Sequence, residues 1–162
     1  FWSRGQAWGL YGYTMCYRFT KNDQYLRQAE CIADFLLGLK NMPGDGIPYW
    51  DMKLDEILDC TSEKVNPEVP RDASAAAIIA SALYELCTYV PSEKGEQYRK
   101  VADKMINSLH HHYQAPAGTH YGFLLLHCTG HFPAKSEVDV PLNYADYYYL
   151  EALARKENLD LR

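Results

Sequence analysis

Asp72-Ala73-Ser74-Ala75-Ala76-Ala77-Ile78-Ile79-Ala80-Ser81-Ala82-Leu83-Tyr84 is the stretch whose reading decides the fold. An Asp ahead of a run of strong helix formers predicts an N-capped helix, from Ala73 to about Tyr89. Side chains this small let another helix approach closely, so the segment calls for helical neighbours. A second amphipathic segment, about Lys94 to Tyr113, follows a short break at Pro91 and completes a helical hairpin.

Toward the N-terminus the same arrangement recurs. Ser3 with Gln6 three residues later fits a capping box, and apolar residues then repeat at helical spacing through Ala7, Leu10, Tyr11, Met15 and Phe19. A helix over about 4–19 is predicted. The polar break Thr20-Lys21-Asn22-Asp23 leads to another, with Tyr25, Leu26, Ala29, Ile32, Ala33, Leu36 and Leu37 on one side. A closing helix is predicted from about Pro141 to Arg155, followed by a charged tail.

Two long irregular segments separate these units. Pro43, Gly44, Gly46, Pro48, Pro67 and Pro70 interrupt residues 41–71, and a second irregular region covers 114–140, where the apolar run Phe123-Leu124-Leu125-Leu126 predicts a short strand. Short turns alternating with long loops predict an all-α fold, an α/α toroid of helical hairpins with its loops gathered at one rim. The hairpins in 162 residues make up about half of such a ring. The expectation is therefore that residues 1–162 are the C-terminal part of a single toroidal domain.

Composition narrows the partners. A formal net charge of -5 argues against nucleic acid, and no apolar run approaches the roughly 20 residues that span a bilayer. The pairs Arg99-Lys100 and Arg155-Lys156 read as solvated helix faces. Aromatic residues make up 14% of the chain, with 14 Tyr and 3 Trp, and rings that both stack and hydrogen-bond suit sugar clefts. Cys16, Cys31, Cys60, Cys87 and Cys128 form no CxxC pair and read as small core residues. The compartment, cytoplasmic or periplasmic, stays open.

Several residues are candidates for a ligand site. Arg4 and Trp8, four apart, share a helix face, and a guanidinium beside an indole suits an acidic sugar. Packing of Arg on a buried Trp is the competing reading. Gln6 points elsewhere and is expected to close the capping box, with a sugar contact as the lesser role. His127, Thr129 and His131 alternate beside Gly130 and offer groups for sugar hydroxyls or a sulfate. Tyr121 opens the same region and is included among the candidates. A zinc site from His127, His131 and the run His110-His111-His112 is set aside, because that run ends a polar helix and no carboxylate–His motif accompanies it. Among the acids, Asp72 reads as an N-cap, Asp51 lies beside Tyr49-Trp50, and Asp146 reads as ordering nearby backbone. None stands in the setting of a general acid, so no catalytic residue is assigned.

Four ordered segments carry a family resemblance: Trp2-Ser3-Arg4-Gly5-Gln6-Ala7-Trp8-Gly9-Leu10-Tyr11-Gly12, Ile47-Pro48-Tyr49-Trp50-Asp51, Arg71-Asp72-Ala73-Ser74-Ala75-Ala76-Ala77, and Tyr144-Ala145-Asp146-Tyr147-Tyr148-Tyr149-Leu150-Glu151-Ala152-Leu153. Together they resemble glycoside hydrolase family 88, the unsaturated glucuronyl hydrolases. The resemblance implies a six-hairpin toroid and hydration of the C4–C5 double bond that polysaccharide lyases leave on a terminal uronate. It implies no metal or organic cofactor. Its two key Asp residues precede the Trp-x-Arg-Gly-Gln segment and would lie in an N-terminal part outside these residues, leaving a piece that is inactive alone. Trp2, Arg4 and Trp8 match sugar-contacting positions of the family, and an unsaturated uronate disaccharide of glycosaminoglycan type is the implied partner. Gln6 favours the glucuronyl branch over the related rhamnogalacturonyl hydrolases, which usually carry Asn there. Cys128 stands where glycosaminoglycan-active members have Ser, leaving Thr129, His131 or Lys135 for a sulfate. A non-catalytic helical carbohydrate-binding module is the other reading.

Overall fold

The computed structural model describes residues 1–52 and 69–161. Among these, five α-helices carry the fold: α1 Ser3–Thr20, α2 Asp23–Leu37, α3 Ala73–Leu86, α4 Ser92–His112 and α5 Asn143–Asp160. Cys60 and Pro67 lie outside the described residues. No helix among those described is long and apolar enough to cross a membrane.

Helix α3 is the centre. Residues 73–84 are all buried, so it is enclosed on every side, and α1, α4 and α5 pack directly on it. Its Ala and Ser side chains make that approach possible. Helix α2 packs on α1 and touches α3, while α4 packs on α3 and touches α5. The result is a row α1–α3–α5 backed by α2 and α4.

Helix ends follow local chemistry, with three departures from the sequence reading. The expected capping box at Ser3 and Gln6 does not form. Trp2 occupies the N-cap position without a side-chain cap, and Ser3 is already helical. Its Oγ instead donates to the Tyr49 carbonyl at 2.5 Å, because Ser3 is fully buried against the 47–52 segment and finds its partner there. The α3 helix stops at Leu86, short of Tyr89, since the tight turn before Pro91 must bring Gly95 against the Cys87 carbonyl. Helix α5 starts at Asn143 and runs past Arg155 to Asp160, because Leu159 packs on the core and Lys156 pairs with Asp103 at 2.6 Å.

The basic pairs are not simply solvated faces. Arg155 is largely buried, reaching Glu85 at 2.8 Å and the Ser81 carbonyl at 2.7 Å, and Arg99 pairs with Asp160; Lys100 does face water. The cysteines divide as well, with Cys128 buried, Cys16 and Cys87 half-buried and Cys31 exposed. In place of the expected strand there are isolated pairings, Gln114 with Leu125, Cys128 with Val140 and His131 with Ser136. Leu125 cannot extend the pairing, because its N–H and that of Leu124 are taken by the Asp146 carboxylate at 2.9 and 3.0 Å.

Candidate functional site

Both long connections meet at the N-terminal ends of α1, α3 and α5. The Ser3 N–H donates to the Trp50 carbonyl, the Ala73 N–H to the His127 carbonyl, and Asp146 in the first turn of α5 holds 124–125. Three helix N-termini thus face one rim, which carries a positive dipole field.

At its centre lies a buried network. Asp72 caps α3 by accepting from the Ser74 N–H at 3.1 Å, as its position predicted. Its other oxygen takes Arg4 NH1 at 2.6 Å, and the Thr129 N–H also reaches the carboxylate. Arg4 further donates to the carbonyls of Thr129 at 2.5 Å and Gly130 at 2.7 Å. Burial pushes the Asp72 carboxyl above its ordinary range, while Arg4, Ser74 and backbone N–H groups pull against that rise.

Arg4 is therefore not a free cation. Only 5% exposed, it has an internal carboxylate and two carbonyls as partners, the buried setting that the competing reading of Arg packed on a Trp anticipates. Its cation supports aromatic rings instead. The guanidinium carbon lies 5.1 Å from the Trp2 ring centroid and 5.4 Å from that of Tyr144. Gly5 makes room for Trp2, since a Cβ there would stand 2.7 Å from the indole.

The expected shared face of Arg4 and Trp8 does exist, with Tyr144 as its third member. Trp8 lies 6.4 Å from Tyr144 and meets Tyr148 edge-on at 5.1 Å, and Tyr11 meets Tyr148 at 5.0 Å. Trp2, Trp8, Tyr11, Tyr144 and Tyr148 form a partly exposed aromatic wall on α1 and α5. Burial raises the Tyr144 and Tyr148 hydroxyls, and burial with the Glu151 carboxylate raises Tyr11 to about 12. All three are neutral donors at ordinary pH. In the sequence the α5 tyrosines belong to the closing helix and to a segment of the family resemblance, with no site role assigned to them. Their i, i+4 spacing at 144 and 148 was the available signal for a shared face.

The other candidates separate. The Gln6 side chain makes no hydrogen bond among the described residues and is half-buried. Thr129 is fully buried, with its hydroxyl donating to the Arg71 carbonyl at 3.0 Å, so it holds the chain and not a sugar hydroxyl or sulfate. Tyr121 stands wholly in solvent with φ 54 and belongs to no wall or cleft. His131 is exposed at a short hairpin. His127 pairs with Asp139 at 2.7 Å and lines a separate cleft of about 540 Å³ with Asp45, Arg71, His112 and Tyr113. Cys128 is buried, its thiol pushed upward by burial, and cannot replace a sulfate-binding Ser at the surface.

Helical hairpins joined by long connections at one rim place the chain in the α/α toroid class. No protein-family model matches the chain. It is 47% identical over 162 residues to an unsaturated glucuronyl hydrolase of Formosa agariphila, an alignment covering 99% of this chain and 38% of that protein. Its structure matches that of an unsaturated glucuronyl hydrolase specific for heparin with a TM-score of 0.86 at 44% identity, over 99% of this chain and 41% of the other. A Streptococcus agalactiae unsaturated glucuronyl hydrolase solved with dGlcA-GalNAc6S matches with a TM-score of 0.81 at 31% identity, over 96% and 39%. The chain belongs to the unsaturated glucuronyl hydrolases, glycoside hydrolase family 88. It spans about two fifths of the length of the relatives it matches.

Proposed function

We propose that these residues form part of a single toroidal catalytic domain that removes an unsaturated glucuronyl residue from oligosaccharides made by polysaccharide lyases. The observation that carries this reading is the aromatic wall Trp2, Trp8, Tyr144 and Tyr148, built over the Arg4–Asp72 pair at three helix N-termini. Flat rings cover the apolar face of a sugar, and neutral Tyr hydroxyls bond its edges. The dipole ends favour the uronate carboxylate without a free guanidinium. Arg4 in this reading sets the wall's position. Gln6 and His131, neither of them buried, stay in the proposed binding set, while Tyr121, His127 and Thr129 drop out of it.

The reaction is hydration of the C4–C5 double bond, after which the hemiketal opens and the sugar is released. The acids expected to perform it lie outside these residues. That assignment is supported by the commitments of the acids at the rim: Asp72 is paired with Arg4, and Asp146 holds two backbone N–H groups. The substrate class is a glycosaminoglycan-type unsaturated disaccharide, in keeping with the names of the relatives.

The test uses the full-length protein and follows loss of the absorbance of the conjugated double bond. Turnover of chondroitin- or heparin-derived disaccharides is expected. Turnover of rhamnogalacturonan products alone would move the protein to the other branch. Absence of turnover, with sugar binding retained by the 162-residue chain, would support the non-catalytic module.

A further inference from the structure

We propose that Phe132, set against Trp50, forms a second stacking position that holds a sugar beyond the unsaturated disaccharide. The inference rests on the reading above and extends it to longer oligosaccharides.

The Gly130 carbonyl is where the two halves of the rim join. It accepts from Arg4 NH2 at 2.7 Å, on the side of Trp2 and Tyr144, and from the Trp50 indole N–H at 3.4 Å. Beyond Gly130 the chain makes a short hairpin closed by the pairing of His131 with Ser136, with a single 3-10 turn, Phe132–Ala134, at its tip. Phe132 is the one large apolar side chain in that turn. Pro133, Ala134, Lys135 and Ser136 around it are exposed, and the ring rests at 5.9 Å from Trp50, tilted by 50°.

Among the described residues, neither this half-buried Phe at the tip of an exposed hairpin nor Trp50 belongs to the core clusters. The two rings come from the two long connections, so they mark the rim and not the helix packing. They are linked to the wall of Trp2 and Tyr144 through the Gly130 carbonyl, which both Arg4 and the Trp50 indole reach. A polysaccharide chain stacked on that wall and continuing past Gly130 meets them next. The exposed edges of His131 and Ser136 are hydrogen-bonding groups suited to a sugar ring lying on the Phe face. Gly130 keeps the hairpin tight, because a Cβ there would stand 2.8 Å from the Glu137 Cβ.

The experiment measures kcat/KM of the full-length protein on an unsaturated disaccharide and on the unsaturated tetrasaccharide of the same polymer, with isothermal calorimetry of both. The wild type should favour the tetrasaccharide. Phe132→Ala should reduce the tetrasaccharide-to-disaccharide ratio about tenfold, through KM, and Phe132→Trp should restore it. A ratio unchanged by Phe132→Ala, or a wild type indifferent to length in both measurements, overturns the proposal. If neither sugar is turned over, the Kd ratio decides. A tetrasaccharide preference lost in Phe132→Ala keeps the stacking position while the hydrolase reading fails.

Discussion

Arg4 and Asp72 stand 68 positions apart in the sequence, yet their side chains meet at 2.6 Å with only 6% and 0% of their surfaces exposed. This pair ties the first turn of α1 to the cap of α3 and, through the Thr129 and Gly130 carbonyls, to the second long connection. Removing one member leaves the other charged and buried. Arg4→Ala is expected to destabilise the protein by about 3–5 kcal/mol, and Arg4→Lys by less, since an ammonium keeps the charge without the fork. Urea unfolding measures both. A loss below about 1 kcal/mol for Arg4→Ala would show that the pair contributes little to stability.

Gly95 sits where α4 leaves its turn beneath α3. A Cβ there would stand 2.6 Å from the Cys87 carbonyl oxygen, a backbone atom with little freedom to move. Gly95→Ala should cost about 1–3 kcal/mol in spite of the better helix propensity of Ala. A thermal melt with unchanged midpoint would contradict the close packing of this hairpin.

Three carboxylates tie acid stability to specific contacts. At Asp45 partial burial opposes ionisation, but the Ile47 N–H, the Tyr113 hydroxyl and Arg71 outweigh it and hold the carboxyl below its ordinary value. Asp103 is lowered the same way, against burial, by Lys156 and Tyr84, and Asp34, against burial, by Tyr98 and Lys94. A depressed folded pKa contributes stability above the unfolded value, near 3.9, and loses it as pH falls through the folded value. Unfolding free energy governed by these groups should be level between about pH 5 and 7 and decline below about pH 4. Asp45→Asn should flatten part of that decline. An acid limb identical to wild type would exclude Asp45 as a contributor.

The aromatic wall and Tyr121 give opposite expectations. Trp8→Ala and Tyr148→Ala should each weaken binding of an unsaturated disaccharide about tenfold, from loss of one stacking ring. Tyr121→Ala should leave affinity within about twofold, because the ring contacts neither wall nor cleft. Calorimetric titration of all three variants decides it. A large effect at Tyr121 with none at Trp8 would relocate the site.

Much of the architecture was readable in order along the chain. Helix periodicity, the Asp72 cap and the small-residue pattern of the helix at 73–84 all arise from neighbours within a few residues. Errors gathered where a distant partner outcompeted a local one. Ser3 had a local capping role available, but burial beside Tyr49 offered it a carbonyl instead. Arg4 carried two readings, an acidic-sugar contact or packing on a Trp, because its carboxylate partner stands 68 positions away, and Thr129 read as a candidate from its place beside Gly130.

The sequence alone therefore determined the helical hairpins, the two long connections and the family to which they belong, since these depend on short-range spacing and on motif order. Which polar groups remained available for a sugar was decided only by tertiary structure. Packing α1 against α3 brought Asp72 to Arg4 and carried the 127–131 segment onto both. A buried charge must find a partner, and here the partner was internal. That left the rings of Trp2, Trp8, Tyr144 and Tyr148 as the partly exposed surface over the buried pair, the surface proposed above to take the sugar.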